Sequence, residues 1–146
     1  MSLKLYAENS WIEPLKTSRE EIQNLLGIVK RGVNDAKVDT ISADLRVIAA
    51  FGAAMAAASA ALRAAGYRSK TQSGHHQKTI ECLEFTIGAD EKLRNKLKAI
   101  SKKRNATSYD AAGNVSEQEL KLAIDVAEQL QKDVLAWLGA NHKELL

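Results

Sequence analysis

Between Arg46 and Arg63 the chain runs for sixteen residues, Val47–Leu62, without a single charge, and nine of them are alanine. Alanine has the highest helix propensity and no side-chain rotamers to lose. The stretch therefore reads as a helix, and small side chains on every face let neighbouring helices approach closely. That places it at the centre of a bundle or at a subunit contact. It falls short of the roughly 20 apolar residues that span a bilayer, and Asp44, Arg46 and Arg63 flank it closely. The expectation is a buried helix of a soluble protein, with no membrane contact.

The rest of the chain fits helices around that one. The only proline is Pro14, so nothing after it carries the strongest helix breaker. Aromatic residues make up only 5% of the 146 residues, which leaves Leu, Ile, Val and Ala to build the core. Residues 1–16 read as an irregular N-terminal arm, pinned by Trp11, Ile12 and Leu15, and residues 17–146 as a single helical domain. A first helix is predicted from Thr17 or Ser18, each with a Glu three residues on. Its apolar positions Ile22, Leu25, Leu26, Val29 and Val33 recur at helical spacing, and Gly27 and Gly32 weaken it slightly.

The alanine-rich second helix should begin at the cap Ser42 and stop at Gly66. A third is expected over about His75–Ile87, closed by Gly88. A fourth, capped by Asp90, should run to about Thr107 with Leu93, Leu97 and Ile100 inward. A last helix should follow the capping box Ser116–Glu119, with Leu120, Ile124, Ala127, Leu130, Val134, Leu135 and Leu138 inward. No segment shows a strong strand alternation. The fold class is all-α, an antiparallel bundle of about five helices.

The chemical vocabulary is small. There is no phosphate-binding Gly-rich loop, no HExxH and no cysteine cluster. No cofactor and no metal are expected. Cys82 is the lone cysteine, so it reads as a small buried hydrophobe, and the absence of any internal disulfide suits a reducing cytoplasm. Met1–Asn9 lacks the basic-then-apolar pattern of a signal peptide. Of the three histidines, His75 and His76 open the third helix, and His142 lies in a polar tail where it should be solvated.

The net charge of +3 matters less than its distribution, because Lys92, Arg94, Lys96, Lys98, Lys102, Lys103 and Arg104 crowd one stretch. Acids such as Glu91 and those of the last helix can neutralise this run, or it can border a groove for an anionic partner. At its end, Arg104, Asn105 and Tyr109 combine a fixed fork of donors with an amide and a hydroxyl. That set can grip a phosphodiester; equally, Arg104 can pair with Asp110 and Tyr109 can pack the helix end.

Arg104-Asn105-x-x-x-Tyr109 resembles the R-(N/D/H)-x-x-x-(H/Y) signature of the HEPN superfamily, the higher eukaryotes and prokaryotes nucleotide-binding domains. Ser42–Arg46 followed by the alanine-rich helix and Ala65–Arg68 resembles the second helix of small bacterial members, and Gly74–Glu81 the start of their third. Ile12–Pro14 with Ser18–Ile22 also fits, so the resemblance spans about residues 12–138.

It implies a helical bundle, often a homodimer, in which the motif Arg and His of nuclease members meet at the dimer interface and cleave RNA without a metal. It also implies kinship with toxin–antitoxin systems, and with members that partner a nucleotidyltransferase and carry a tyrosine that receives a nucleotide. On that reading Arg104 stabilises the scissile phosphate, Asn105 orients it, and Lys102, Lys103 and Asp110 border the site. Tyr109 stands where nuclease members have His, and a phenol titrating near 10 is a poor base at neutral pH. His75 or His76, brought near Arg104, would supply the missing imidazole. Three functions follow: a metal-independent ribonuclease, a non-catalytic nucleotide- or RNA-binding module with an antitoxin or nucleotidyltransferase partner, and a helical dimerisation scaffold.

Overall fold

The computed structural model describes the chain except residues 71–74 and 107–113 and the side chain of His75. In chain order the elements are α1 (Leu3–Glu8), β1 (Ile12–Pro14), α2 (Arg19–Ala36), α3 (Ala43–Ala64), β2 (Tyr67–Ser69), α4 (His75–Cys82), α5 (Glu91–Asn105) and α6 (Glu117–Asn141), followed by a 3-10 turn at Lys143–Leu145. The fold is an all-α bundle with one small two-stranded ladder.

The helix starts follow their caps. The side chains of Ser18, Ser42, Asp90 and Ser116 each accept a hydrogen bond from the backbone N–H three residues on. This satisfies one of the donors that every helix start leaves unpaired. At Ser116 the box is complete, because Glu119 Oε1 also accepts from the Ser116 N–H at 2.9 Å. Gly66 follows α3 with φ +97°, a left-handed conformation that favours glycine and stops the helix.

Helix α3 is the axis of the bundle, packed against α2, α4, α5 and α6. It is long and apolar enough to cross a membrane by length and composition alone, and 61% of its most apolar window lies buried inside the bundle. Burial extends around it, from Val47 and Ala50 to Ala57, Ala58 and Ala61. Its small side chains allow the approach of α2. A Cβ built on Gly32 would lie 2.9 Å from Ala53 Cβ and 3.1 Å from the Ala49 carbonyl oxygen. Leu97 and Ile100 of α5 and Leu120, Leu130, Val134 and Leu138 of α6 complete the core. Leu135, expected inward, is exposed, because it turns away from the stripe formed by Val134 and Leu138.

The N-terminal residues depart most from the expected irregular arm. They form the short helix α1 and the strand β1, which pairs antiparallel with β2. Each strand is only three residues long, too short to carry a visible alternation. Arg68 Nε donates to Glu13 Oε1 across it at 2.7 Å, and Leu15 N–H donates to the Gly66 carbonyl at 2.9 Å. The third predicted helix is shorter than expected: α4 stops at Cys82, and turns carry the chain to Gly88, which has φ +73°.

These elements enclose a second, smaller core of Tyr6, Ile12, Leu62 and Cys82, flanked by Trp11, Tyr67 and Phe85. Most of the chain's few aromatic rings gather here. The Tyr6 ring meets Trp11 at 5.0 Å and Phe85 at 5.3 Å, both edge to face. Lys78 Nζ sits 3.9 Å from the Trp11 ring centroid. Burial also pushes the Cys82 thiol up to about 12, which leaves it essentially without thiolate near neutral pH.

Tyr6 Oη donates to Glu81 Oε1 at 2.7 Å, and burial together with this carboxylate raises the phenol well above its ordinary value. The unfolded chain releases this proton near about pH 10, while the folded chain holds it to higher pH. The stability that Tyr6 contributes is therefore complete below about pH 10 and is lost as pH rises beyond it. Urea unfolding should show Tyr6→Phe about 1 kcal/mol less stable at pH 8, with the gap to wild type closing above about pH 10. A gap that stays constant through alkaline pH would contradict the assignment.

Candidate functional site

The last turn of α5 carries Lys102, Lys103, Arg104 and Asn105. Cations are favourable at a helix C-terminus, where the unpaired carbonyls concentrate negative partial charge. The same dipole opposes a bound anion, so any anion affinity here comes from side chains alone. Arg104 Nη1 donates to Asn105 Oδ1 at 3.2 Å. Arg104 is half-buried, while Asn105 and Lys102 are exposed.

Lys103 leans the other way. Its Nζ lies 3.2 Å from Glu119 Oε2, in the first turn of α6. The Ser116 backbone hydrogen bond, helped by Lys103, holds the Glu119 carboxyl below the usual carboxylate range. Sequence marked Glu119 as a capping residue and offered the acids of the last helix as partners of the basic run; that Glu119 takes this second role depends on how α5 and α6 pack.

Two ion pairs set the register between the α4 segment and α5. Arg94 meets Glu84 at 3.5 Å and Lys98 meets Glu81 at 4.0 Å. Three residues back along the first segment correspond to four forward along α5, so the two run antiparallel. Continued, this register brings the first turn of α4, with His75 and His76, level with the last turn of α5. A second observation agrees. Val47 of α3 borders a hollow of about 160 Å³ together with Ile100, Lys103 and Glu119, and one turn on, Phe51 meets the His76 ring edge to face at 5.4 Å. His76 therefore belongs to the same end of the bundle as Arg104, held against the central helix.

Tyr109 and Asp110 lie outside the described residues, as does the side chain of His75; helix α4 starts at His75. The basic run is neutralised in part: Arg94, Lys98 and Lys103 have acidic partners, with Glu119 the one drawn from α6. Glu91, an expected partner, forms no ion pair among the described residues. His142 is not simply solvated, since its ring lies 4.9 Å from that of Trp137. Among the described residues, no group of three His, Cys, Asp or Glu side chains is placed to hold a metal ion.

No protein-family model matches the chain significantly, and neither a curated protein nor a solved structure does.

Proposed function

We propose that this chain is a HEPN-like module that binds RNA at the C-terminal end of α5. Arg104 engages a phosphate, Asn105 orients the guanidinium or the phosphate, Lys102 and Lys103 supply further positive charge, and Tyr109 completes the motif. The observation that carries this reading is the pairing of Arg104 with Asn105 at 3.2 Å on a solvent-accessible helix end. The planar fork of a guanidinium matches two phosphate oxygens, and a neighbouring amide steadies it.

Cleavage would need a base as well as a phosphate grip. A phenol is poorly suited to that role at neutral pH, and His75 and His76 at the start of α4 are the imidazole candidates. Binding is therefore the primary activity, with metal-independent cleavage as its catalytic extension. A homodimer, an antitoxin and a nucleotidyltransferase are the partners that this reading accommodates.

The test is incubation of the purified protein with single-stranded and transfer RNA in excess chelator. Retained RNA binding is expected; failure to bind any member of a broad RNA panel would overturn the reading. Tyrosine in the place of histidine favours one second reading, in which Tyr109 receives a nucleotide from a partner transferase. A nucleotide-sized gain in intact mass, lost in Tyr109→Phe, would mark it.

A further inference from the structure

One side of α3 is left uncovered by the described residues, although α3 is the most enclosed helix of the fold. Leu45, Gly52, Ser59 and Arg63 are spaced seven, seven and four residues apart, so they share that side. Leu45 is 56% exposed, and Gly52 is exposed as well. The adjoining edge of α2 extends the face. Glu21 of α2 meets Arg63 at 3.0 Å, and Ile28, two turns after Glu21 on the same edge, is 44% exposed. The surface is about 27 Å long and about two helices wide, comparable with the ~800 Å² that each partner gives to a standard interface.

Gly52 has no explanation among the described residues. A Cβ built on it would meet nothing within 4 Å. Alanine would fit there and is the better helix former. Close approach of another backbone is what an exposed helical glycine permits.

The face is also built to fit itself. The bulky Leu45 and Ile48 precede Gly52, and the small Ala56 and Ser59 follow it. Ile48 and Ala56 each lie four residues from Gly52, and Leu45 and Ser59 each lie seven. A two-fold axis at Gly52 crosses two antiparallel α3 helices. Leu45 of each copy then fills the space over Ser59 of the other, and Ile48 the space over Ala56. Charge agrees with this direction. Helix α3 carries Asp44 in its first turn and Arg63 in its last, so antiparallel pairing sets opposite charges together at both ends, and parallel pairing sets like against like.

We infer that this α2–α3 face is the contact with a second copy of the chain, an isologous dimer with its axis at Gly52. The contact faces away from the basic helix end. Val47, two residues and so about 200° round the helix from Leu45, borders the hollow shared with Ile100 and Lys103 of α5. Each Arg104 then serves a site within its own protomer, in contrast to a pairing in which the motif residues of two subunits meet. The inference does not depend on what Arg104 binds.

Sedimentation equilibrium of the full chain, with circular dichroism in parallel, tests it. Wild type should sediment at twice the mass of one chain. Leu45→Asp puts an uncompensated carboxylate into the contact and should weaken association at least about 100-fold. Its fold should be kept, because Leu45 is exposed and an acid is favourable near a helix start. Gly52→Gln places a side chain on the axis and should weaken association to the same degree with full helicity, since each protomer has open space there. Arg104→Ala should remain dimeric. A monomeric wild type at about 0.1 mM, well above the Kd of a standard interface, would overturn the inference. So would a dimer that survives both face substitutions, or one that Arg104→Ala dissociates.

Discussion

Arg104→Ala should weaken RNA binding about 10- to 100-fold, the loss expected when a charge-assisted contact worth about 1.5–3 kcal/mol disappears. Any metal-independent cleavage should fall by about 100-fold or more, because charge on the phosphate grows towards the transition state. The fold should be unaffected. Arg104 lies at the partly exposed end of α5, where it donates to the exposed Asn105. Substitutions of this kind change stability by about 0.5 kcal/mol, or about 2 °C in Tm for a chain of this size. Arg104→Lys separates charge from geometry. It keeps the cation and loses the bidentate fork, so it should recover part of the affinity and little of any cleavage. Equal binding by all three proteins, read by anisotropy with Tm measured in parallel, would remove Arg104 from the site.

The largest effect on the fold should come from Gly32. Its hydrogen faces Ala53 and the Ala49 carbonyl where a Cβ would already be too close, at 2.9 and 3.1 Å. Both neighbours belong to α3, the most enclosed helix of the bundle, and one of them is backbone. Gly32→Leu must therefore force α2 and α3 apart, at a cost of about 3 kcal/mol or more and about 10 °C in Tm. Gly27, one and a half turns earlier on α2, meets only the flexible end of the Arg31 side chain. Gly27→Ala should stabilise the protein by about 0.5–1 kcal/mol, through the helix propensity that glycine lacks. Thermal unfolding of the two variants should thus move in opposite directions. A neutral Gly32→Leu would mean that α2 and α3 do not pack as described.

The glycine pair illustrates what could be read from sequence and what could not. On propensity both residues look like weak points of a helix; only the packing of α2 on α3 makes one of them indispensable. Helix starts were legible because Ser18, Ser42, Asp90 and Ser116 act on backbone groups three residues away, a purely local interaction. The stop at Gly66 was local in the same sense.

The β1–β2 ladder was not legible, because it joins strands more than fifty residues apart and each is too short to show a period. Nor was the small aromatic core, where Tyr6 donates to Glu81 across seventy-five positions. At the candidate site, the run Lys102–Asn105 is visible as charge, and the Arg104–Asn105 contact follows from adjacency. The approach of His76 to that end, and the pairing of Lys103 with Glu119, depend on how α4 and α6 flank α5. Helix packing decides both.

The most direct test of the central claim is an NMR titration of the labelled protein with a short single-stranded RNA, following backbone amides together with the Arg104 Nε–H and Asn105 side-chain signals. The proposed site predicts saturable shifts concentrated at Lys102–Asn105, with the Arg104 Nε–H among the largest. Shifts that leave these signals unmoved, or that cluster on the α2 face of the bundle, would contradict it.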